Sequence, residues 1–163
     1  MARALFGDVN LGGKLTITFP RSVGQLPDFY DHKPSRNRSY MFTSREPLFP
    51  FGHGLSYTTF RLENARVEPA EIASSANATV TVDVTNTGDR EGDEVPQLYV
   101  HQKLTPVTRP VLERGFERVH LRPGEQTTVS FTLSPRSLAL WNETQTIQLK
   151  VTANKQIRRT TTA

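Results

Sequence analysis

The chain has 163 residues, of which 36% are hydrophobic and 22% charged, with a net charge of +4 and no cysteine. That length suggests one domain with an extended arm, able to bury roughly 70% of its unfolded surface. A mean hydropathy of −0.48 fits a soluble protein and is too apolar for wholesale disorder. Without cysteine there is neither a disulfide framework nor a thiolate metal site. The apolar runs are only a few residues long, far short of the ~20 that a membrane helix needs. The opening "MARALFGDVNLGG" has no continuous apolar core and no small-residue cleavage site, so it does not read as a signal peptide. Localisation stays open. A sequence pI near 9.7 raises nucleic acid as a partner. The arginines are scattered, however, and the one compact basic run, "KQIRRTTTA", reads as a solvated tail.

In chain order, the first periodic run is "GGKLTITFP". Leu15, Ile17 and Phe19 share one face there between Gly12–Gly13 and Pro20, which predicts a strand. Residues 21–57 break the pattern with four prolines and three glycines. A structureless loop of that length does not suit a compact domain, so the segment reads as an arm lying across another surface. Its aromatics, Phe29, Tyr30, Tyr40, Phe42, Phe49 and Phe51, supply contact area. In "PLFPFGHGLSYTTF", residues 47–60, the prolines fix an extended path and Gly52 and Gly54 turn the chain towards the next strand. The surface this run docks against is expected to lie outside the chain.

After residue 57 a period of two takes over. Val80, Val82 and Val84 share one face while Thr79, Thr81 and Asp83 share the other. Leu98 and Val100 oppose Tyr99. The same alternation runs through Val129, Phe131 and Leu133, then through Ile147, Leu149 and Val151. In "LRPGEQ", Pro123 presets a turn and Gly124 supplies the positive φ of a type II turn, which reads as a hairpin from "FERVHL" into "TTVSFTL". "SLALW" is compatible with helix or strand. Strands at this spacing, without helical periodicity, predict an all-β antiparallel sandwich.

Five segments then carry a resemblance: "GGKLTITFPRSVGQLPDFYDHKPS", "PLFPFGHGLSYTTF", "VTNTGDREGDEVPQLYV", "TRPVLERGFERVHLRPGEQTTVSFTLS" and "LALWN". In order and spacing they resemble the C-terminal third of a glycoside hydrolase family 3 enzyme of the β-glucosidase type, over about residues 5 to 142. The resemblance implies a fibronectin type III-like (immunoglobulin-like) sandwich over 58–155. Before it come a remnant of an α/β sandwich domain over 1–20 and an inter-domain arm over 21–57; a basic tail follows over 156–163. It further implies that the nucleophile and the acid/base glutamate precede Met1, that the chain is a fragment, and that the parent is secreted or periplasmic. The partners so implied are the parent's catalytic domains, braced through Phe49, Phe51, His53, Tyr57 and Phe60. An arm left exposed favours self-association.

The residues themselves assign no catalytic group. Retaining glycosidases need two carboxyls about 5 Å apart with divergent pKa values. The best local cluster, Asp28, Asp31 and His32, sits on the irregular arm and reads as loop charge or a contact to other domains. "DREGDE", residues 89–94, lacks the alternating ligands of a calcium loop and reads as a charged turn between strands. His32, His53, His101 and His120 show no zinc spacing, so no metal or cofactor is expected. Asn37, Asn77 and Asn142 open N-x-[ST] sequons, which decide nothing alone. Tyr40 and Trp141 are of a type that stacks on sugar rings, which keeps a stand-alone carbohydrate-binding or protein-interaction module as the alternative.

Overall fold

The computed structural model describes residues 2–31, 44–73, 75–101, 112–138, 140–141 and 146–147. Its strands are β1 (Phe60–Glu68), β2 (Ala78–Asn86), β3 (Gly92–Glu94), β4 (Gln97–Val100), β5 (Leu112–Phe116), β6 (Val119–Leu121), β7 (Gln126–Leu133), β8 (Leu140–Trp141) and β9 (Thr146–Ile147). Two short helical turns, α1 (Ala2–Leu5) and α2 (Pro135–Leu138), complete the list with a 3-10 turn at Val23–Gln25. "SLALW" therefore divides: its start ends a helical turn and its Leu-Trp forms a strand. Leu149 and Val151, the later positions of the last expected strand, lie outside the described residues.

β2 is the centre of a three-stranded antiparallel sheet with β1 and β7 on its flanks. The second layer is one long hairpin in two pieces. β3 pairs with β6 and β4 with β5, and the register passes from Glu94↔Val119 to Gln97↔Phe116 without slipping. Pro96 has no N–H to give to a ladder, but its carbonyl accepts from Glu117 N at 3.2 Å and bridges the gap. A bulge follows, with Leu98↔Gly115 giving way to Tyr99↔Glu113 and Arg114 as the extra residue.

The alternation read from the sequence is what fills the space between the layers. Ala78, Val80 and Leu133 form one buried cluster against Leu98 and Val100. Val84, Leu121 and Val129 form a second, with Val82 and Val119 at its margin, and Phe131 packs against both. Each buried Val or Leu among them contributes about 1.5–3 kcal/mol of gross stabilisation to the packing of the two layers. Outside, Asp83 accepts from Thr128 Oγ1 at 2.7 Å and Asn64 Nδ2 at 3.0 Å. Those two bonds hold its carboxyl below the usual carboxylate range. Asn64 sits at the β1 bulge with φ +54°, a left-handed conformation asparagine tolerates.

Two expectations are corrected. The Pro123–Gly124 turn is present, with Gly124 at φ +75° and Glu125 N bonded to Arg122 O at 3.0 Å. It is a corner between the layers and not a hairpin, because β6 pairs with β3 while β7 pairs with β2. The segment Leu15–Phe19 is not a strand but a single antiparallel bridge, Phe19↔Phe49. The turn at Pro50–His53, His53 N to Pro50 O at 3.1 Å with Gly52 at φ +79°, interrupts the ladder between that bridge and the bonds of Leu15.

Candidate functional site: the N-terminal region and its seat on the sandwich

Among the described residues of 2–57 there is no long element, so buried polar backbone groups must find partners by local means. The arm closes on itself where it can. Gln25, only 6% exposed, donates from Nε2 to Ser44 O at 2.8 Å, and Arg21 Nε donates to Glu46 O at 3.1 Å. These bonds tie together the two ends of the segment that spans 26–43. The returning strand-like stretch then lies beside Leu15–Phe19, with Leu15 N bonded to His53 O at 2.8 Å.

The region is seated on the hairpin layer by four contacts that sequence reading did not anticipate. Lys14 Nζ meets Glu94 Oε1 at 2.9 Å, both side chains nearly buried. Asn10 Oδ1 accepts from Ser56 Oγ at 3.0 Å and Tyr57 N at 2.8 Å, while its Nδ2 donates to Glu91 O at 3.3 Å. Arg90 Nη1 donates to Gly7 O at 3.0 Å. Tyr30 stacks on Phe51 at 4.3 Å and meets the edge of Tyr99 at 6.3 Å, and its hydroxyl accepts from Glu113 N at 3.3 Å. The close approach at Asn10 requires Gly92, because a Cβ there would strike the Asn10 amide.

Where the region meets the start of β1, Asn86 is the junction. It is fully buried and all its polar groups are engaged. Oδ1 accepts from Thr58 Oγ1 at 2.9 Å and Gly88 N at 3.1 Å; Nδ2 donates to Arg90 O at 2.7 Å and Leu121 O at 3.0 Å. Its backbone N donates to Glu125 O, and its carbonyl accepts from Gly124 N. One residue thus fixes the arm's exit and the charged turn through its side chain and the Pro-Gly corner through its backbone.

The residues expected to dock divide between two fates. Phe49 stays 40% exposed, edge-on to Phe19 at 6.5 Å and 5.1 Å from the His53 ring. Tyr57 is 45% exposed and donates its hydroxyl proton to Ala4 O at 2.7 Å. Phe51 is turned inward onto Tyr30. Phe60 packs on the Val84 cluster, so its ring serves the sandwich and is not offered outward. Part of the surface the 47–60 run needs is therefore in this chain, on β4 and β5, which corrects the expectation that it lies wholly outside.

The acidic run is also more than a turn, since Gly92–Glu94 is β3. Asp93 pairs with the Arg118 guanidinium and with His120 Nδ1 at 2.7 Å. Arg118 first, and His120 after it, hold the Asp93 carboxyl below the usual range against the opposing effect of burial. Burial pushes the Tyr99 phenol up to about 12, with the Glu113 carboxylate and Tyr30 adding to it, and burial raises Glu113 as well. Asp28 and Asp31 remain on the arm, while His32, Tyr40 and Asn37 lie outside the described residues. Among the described residues no group of three histidine or carboxylate side chains is arranged to hold a metal ion.

Comparison with known proteins agrees with this geometry. Residues 1–57 match the glycosyl hydrolase family 3 C-terminal domain, and residues 94–155 match the fibronectin type III-like domain. The chain is 47% identical over 148 residues to a β-xylosidase of Formosa agariphila, covering 88% of this chain and 20% of that protein. It is 43% identical over 155 residues to a periplasmic β-glucosidase of Salmonella typhimurium, with 88% and 20% covered. Among solved structures, a β-glucosidase of Erythrobacter marinus superposes with a TM-score of 0.83 at 44% identity, over 91% of this chain and 20% of the other. A β-glucosidase of Listeria innocua in complex with isofagomine gives 0.81 at 31% identity, over 91% and 22%. The chain spans about a fifth of the length of these relatives. With its bridged N-terminal region and its two-layer all-β sandwich, the chain belongs to glycoside hydrolase family 3, of which it carries the C-terminal part with the fibronectin type III-like domain.

Proposed function

We propose that this chain is the bracing C-terminal portion of a β-glucosidase-like enzyme that hydrolyses terminal β-D-glucosyl or related O-glycosyl bonds. In this reading residues 1–20 belong to the end of an α/β sandwich domain, 21–57 form the inter-domain arm, 58–155 the fibronectin type III-like domain and 156–163 a basic tail. The partner is the set of catalytic domains of the parent, which contribute both catalytic carboxyls, and no residue of this chain is assigned to the reaction.

The supporting observation is the distribution of apolar side chains. Of the seventeen large hydrophobic side chains exposed among the described residues, fourteen lie in residues 1–57, including Phe6 at 85% and Val23 at 82%. All seven buried ones lie beyond residue 77. A region that is apolar outside and has no core of its own is built to be covered. Phe49 and Tyr57 are the exposed aromatic anchors, with His53 beside Phe49.

The test mixes the full chain with a family 3 β-glucosidase from which the matching C-terminal fifth has been deleted. A one-to-one complex is expected, weakened by Phe49→Ala, and the chain alone is expected to leave an aryl β-glucoside intact. Turnover by the chain alone that disappears in Asp28→Asn or Asp31→Asn would overturn the proposal, as would failure of any complex to form.

A further inference from the structure

The sandwich has a second surface feature, outside the N-terminal region. Where β5 ends beside the β7–α2 connection there is a pocket of about 460 Å³, bordered by Glu113, Arg114, Phe116, Ser134, Arg136 and Ser137. It is an open depression and not an enclosed cavity, so it suits a ligand that lies across the surface.

Three observations single it out. Phe116 is 68% exposed, the only large apolar side chain of β3 to β7 so far out among the described residues, and it stands on a strand whose other face is filled: a Cβ at Gly115 would press on Phe131. Arg114 is the extra residue of the β5 bulge, a feature that re-aims a side chain out of the regular pleat. Its Nε is buried and has no acceptor among the described residues, so the side chain is held by packing while the residue borders the pocket. Finally, Ser134 and Ser137 hold their hydroxyls 3.0 Å apart at the rim.

The chemistry of that lining discriminates between ligands. Two guanidinium groups alone would favour an anion, but Glu113 places a carboxylate among them and opposes one. A purely apolar guest would cover the guanidinium and hydroxyl groups of the lining without giving them hydrogen-bond partners. A neutral polyol satisfies all of it: its hydroxyls both donate and accept, and the C–H face of a pyranose ring carries the partial positive charge that the face of a phenyl ring attracts. We propose that this pocket is a non-catalytic carbohydrate-binding subsite that takes a β-linked neutral oligosaccharide, with Phe116 as the stacking platform and Arg114 as the principal donor. Because the relatives include β-xylosidases and β-glucosidases, xylo- and gluco-oligosaccharides are the probes. Sugar binding is read on the full chain alone, so its outcome is distinct from that of the complex-formation test.

The test is calorimetric titration of the full chain with cellohexaose, with xylohexaose and with inorganic phosphate, each at low and high salt. Saturable binding of at least one hexasaccharide is expected, nearly unchanged by salt. Phe116→Ala should weaken it about tenfold, Phe116→Trp should retain it, and Arg114→Ala should weaken it by a smaller factor. Phe116 is so exposed that its loss should leave the melting midpoint in place, and Phe116→Trp guards against a variant that fails to fold. No saturable binding of either sugar, equal binding by Phe116→Ala, or binding of phosphate alone with a steep salt dependence would each overturn the proposal.

Discussion

The sandwich and the N-terminal region reach order by opposite routes. In the sandwich, alternation sends every second side chain into a space that the facing layer also fills, so Val84 and Leu121 are almost completely buried with no outside help. The N-terminal region has no buried apolar side chain among its described residues and is held by point contacts: one ion pair, one asparagine clamp, one arginine bond to Gly7 and one aromatic stack. A period-two sequence carries its own core with it. A proline-rich arm must instead borrow surface from its neighbours, and here it borrows part of it from β4 and β5.

If that contrast is right, the largest single loss should come where the two regions meet. Asn86→Ala strands the Thr58 hydroxyl, the Gly88 N–H and the carbonyls of Arg90 and Leu121 in a buried setting, and is expected to cost about 3–5 kcal/mol in urea unfolding. A cost under about 1 kcal/mol would mean that the junction is wet and the two regions independent. Next in size is Glu94→Ala, which leaves Lys14 buried without its partner and should cost about 3 kcal/mol. The double variant Lys14→Met, Glu94→Met should recover most of that, because well-packed apolar replacements avoid the desolvation of two charges. Failure to recover would show that the pair fixes geometry as well as neutralising charge.

How much of this was legible beforehand follows from the same contrast. The faces of β2, β4 and β7 could be read from Val80, Leu98 and Val129 because strand periodicity is local. The turn at Gly124 was legible too, yet whether it closes a hairpin or a corner depends on which strands β6 and β7 pair with, and on Asn86 receiving the corner, which are facts of tertiary structure. The strand expected over Leu15–Phe19 was lost to a turn in its partner, thirty residues away. At the candidate site, the aromatic content of the arm was legible but its direction was not: Phe51 turns onto Tyr30 and Phe60 into the core. Lys14 and Glu94 are eighty residues apart, and nothing in either neighbourhood announces the pairing.

A smaller effect tests the aromatic seat directly. Phe51→Ala removes a half-buried ring stacked on Tyr30 and should cost about 1–2 kcal/mol. It should raise amide exchange at Glu113, whose N–H bonds to the Tyr30 hydroxyl, while leaving β2 and β7 protected. Exchange rising equally in β2 would break the distinction between the two regions.

The smallest effects are pH limbs, and they fall at opposite ends of the scale. Asp93 has a depressed carboxyl, so the unfolded chain takes up a proton first, at about pH 3.9. Its contribution is complete above that value and is lost as pH falls through the lower folded one; the exposure of Arg118 keeps it below about 1 kcal/mol. Asp93→Asn should therefore flatten the acid limb alone. Tyr99 behaves in reverse: its folded pKa is about 12, the unfolded chain releases its proton near 10, and stability declines as pH rises above about 10. Tyr99→Phe should flatten that alkaline limb, less the hydrogen bond its hydroxyl donates to Gln97 Oε1. The arm supplies part of the burial, through Tyr30 against the Tyr99 ring and the backbone at Gly52 close to its hydroxyl. In Phe51→Ala, then, a spectroscopic titration of Tyr99 should move back towards 10. An unmoved titration would mean that the hairpin buries Tyr99 by itself and that the arm merely lies on it.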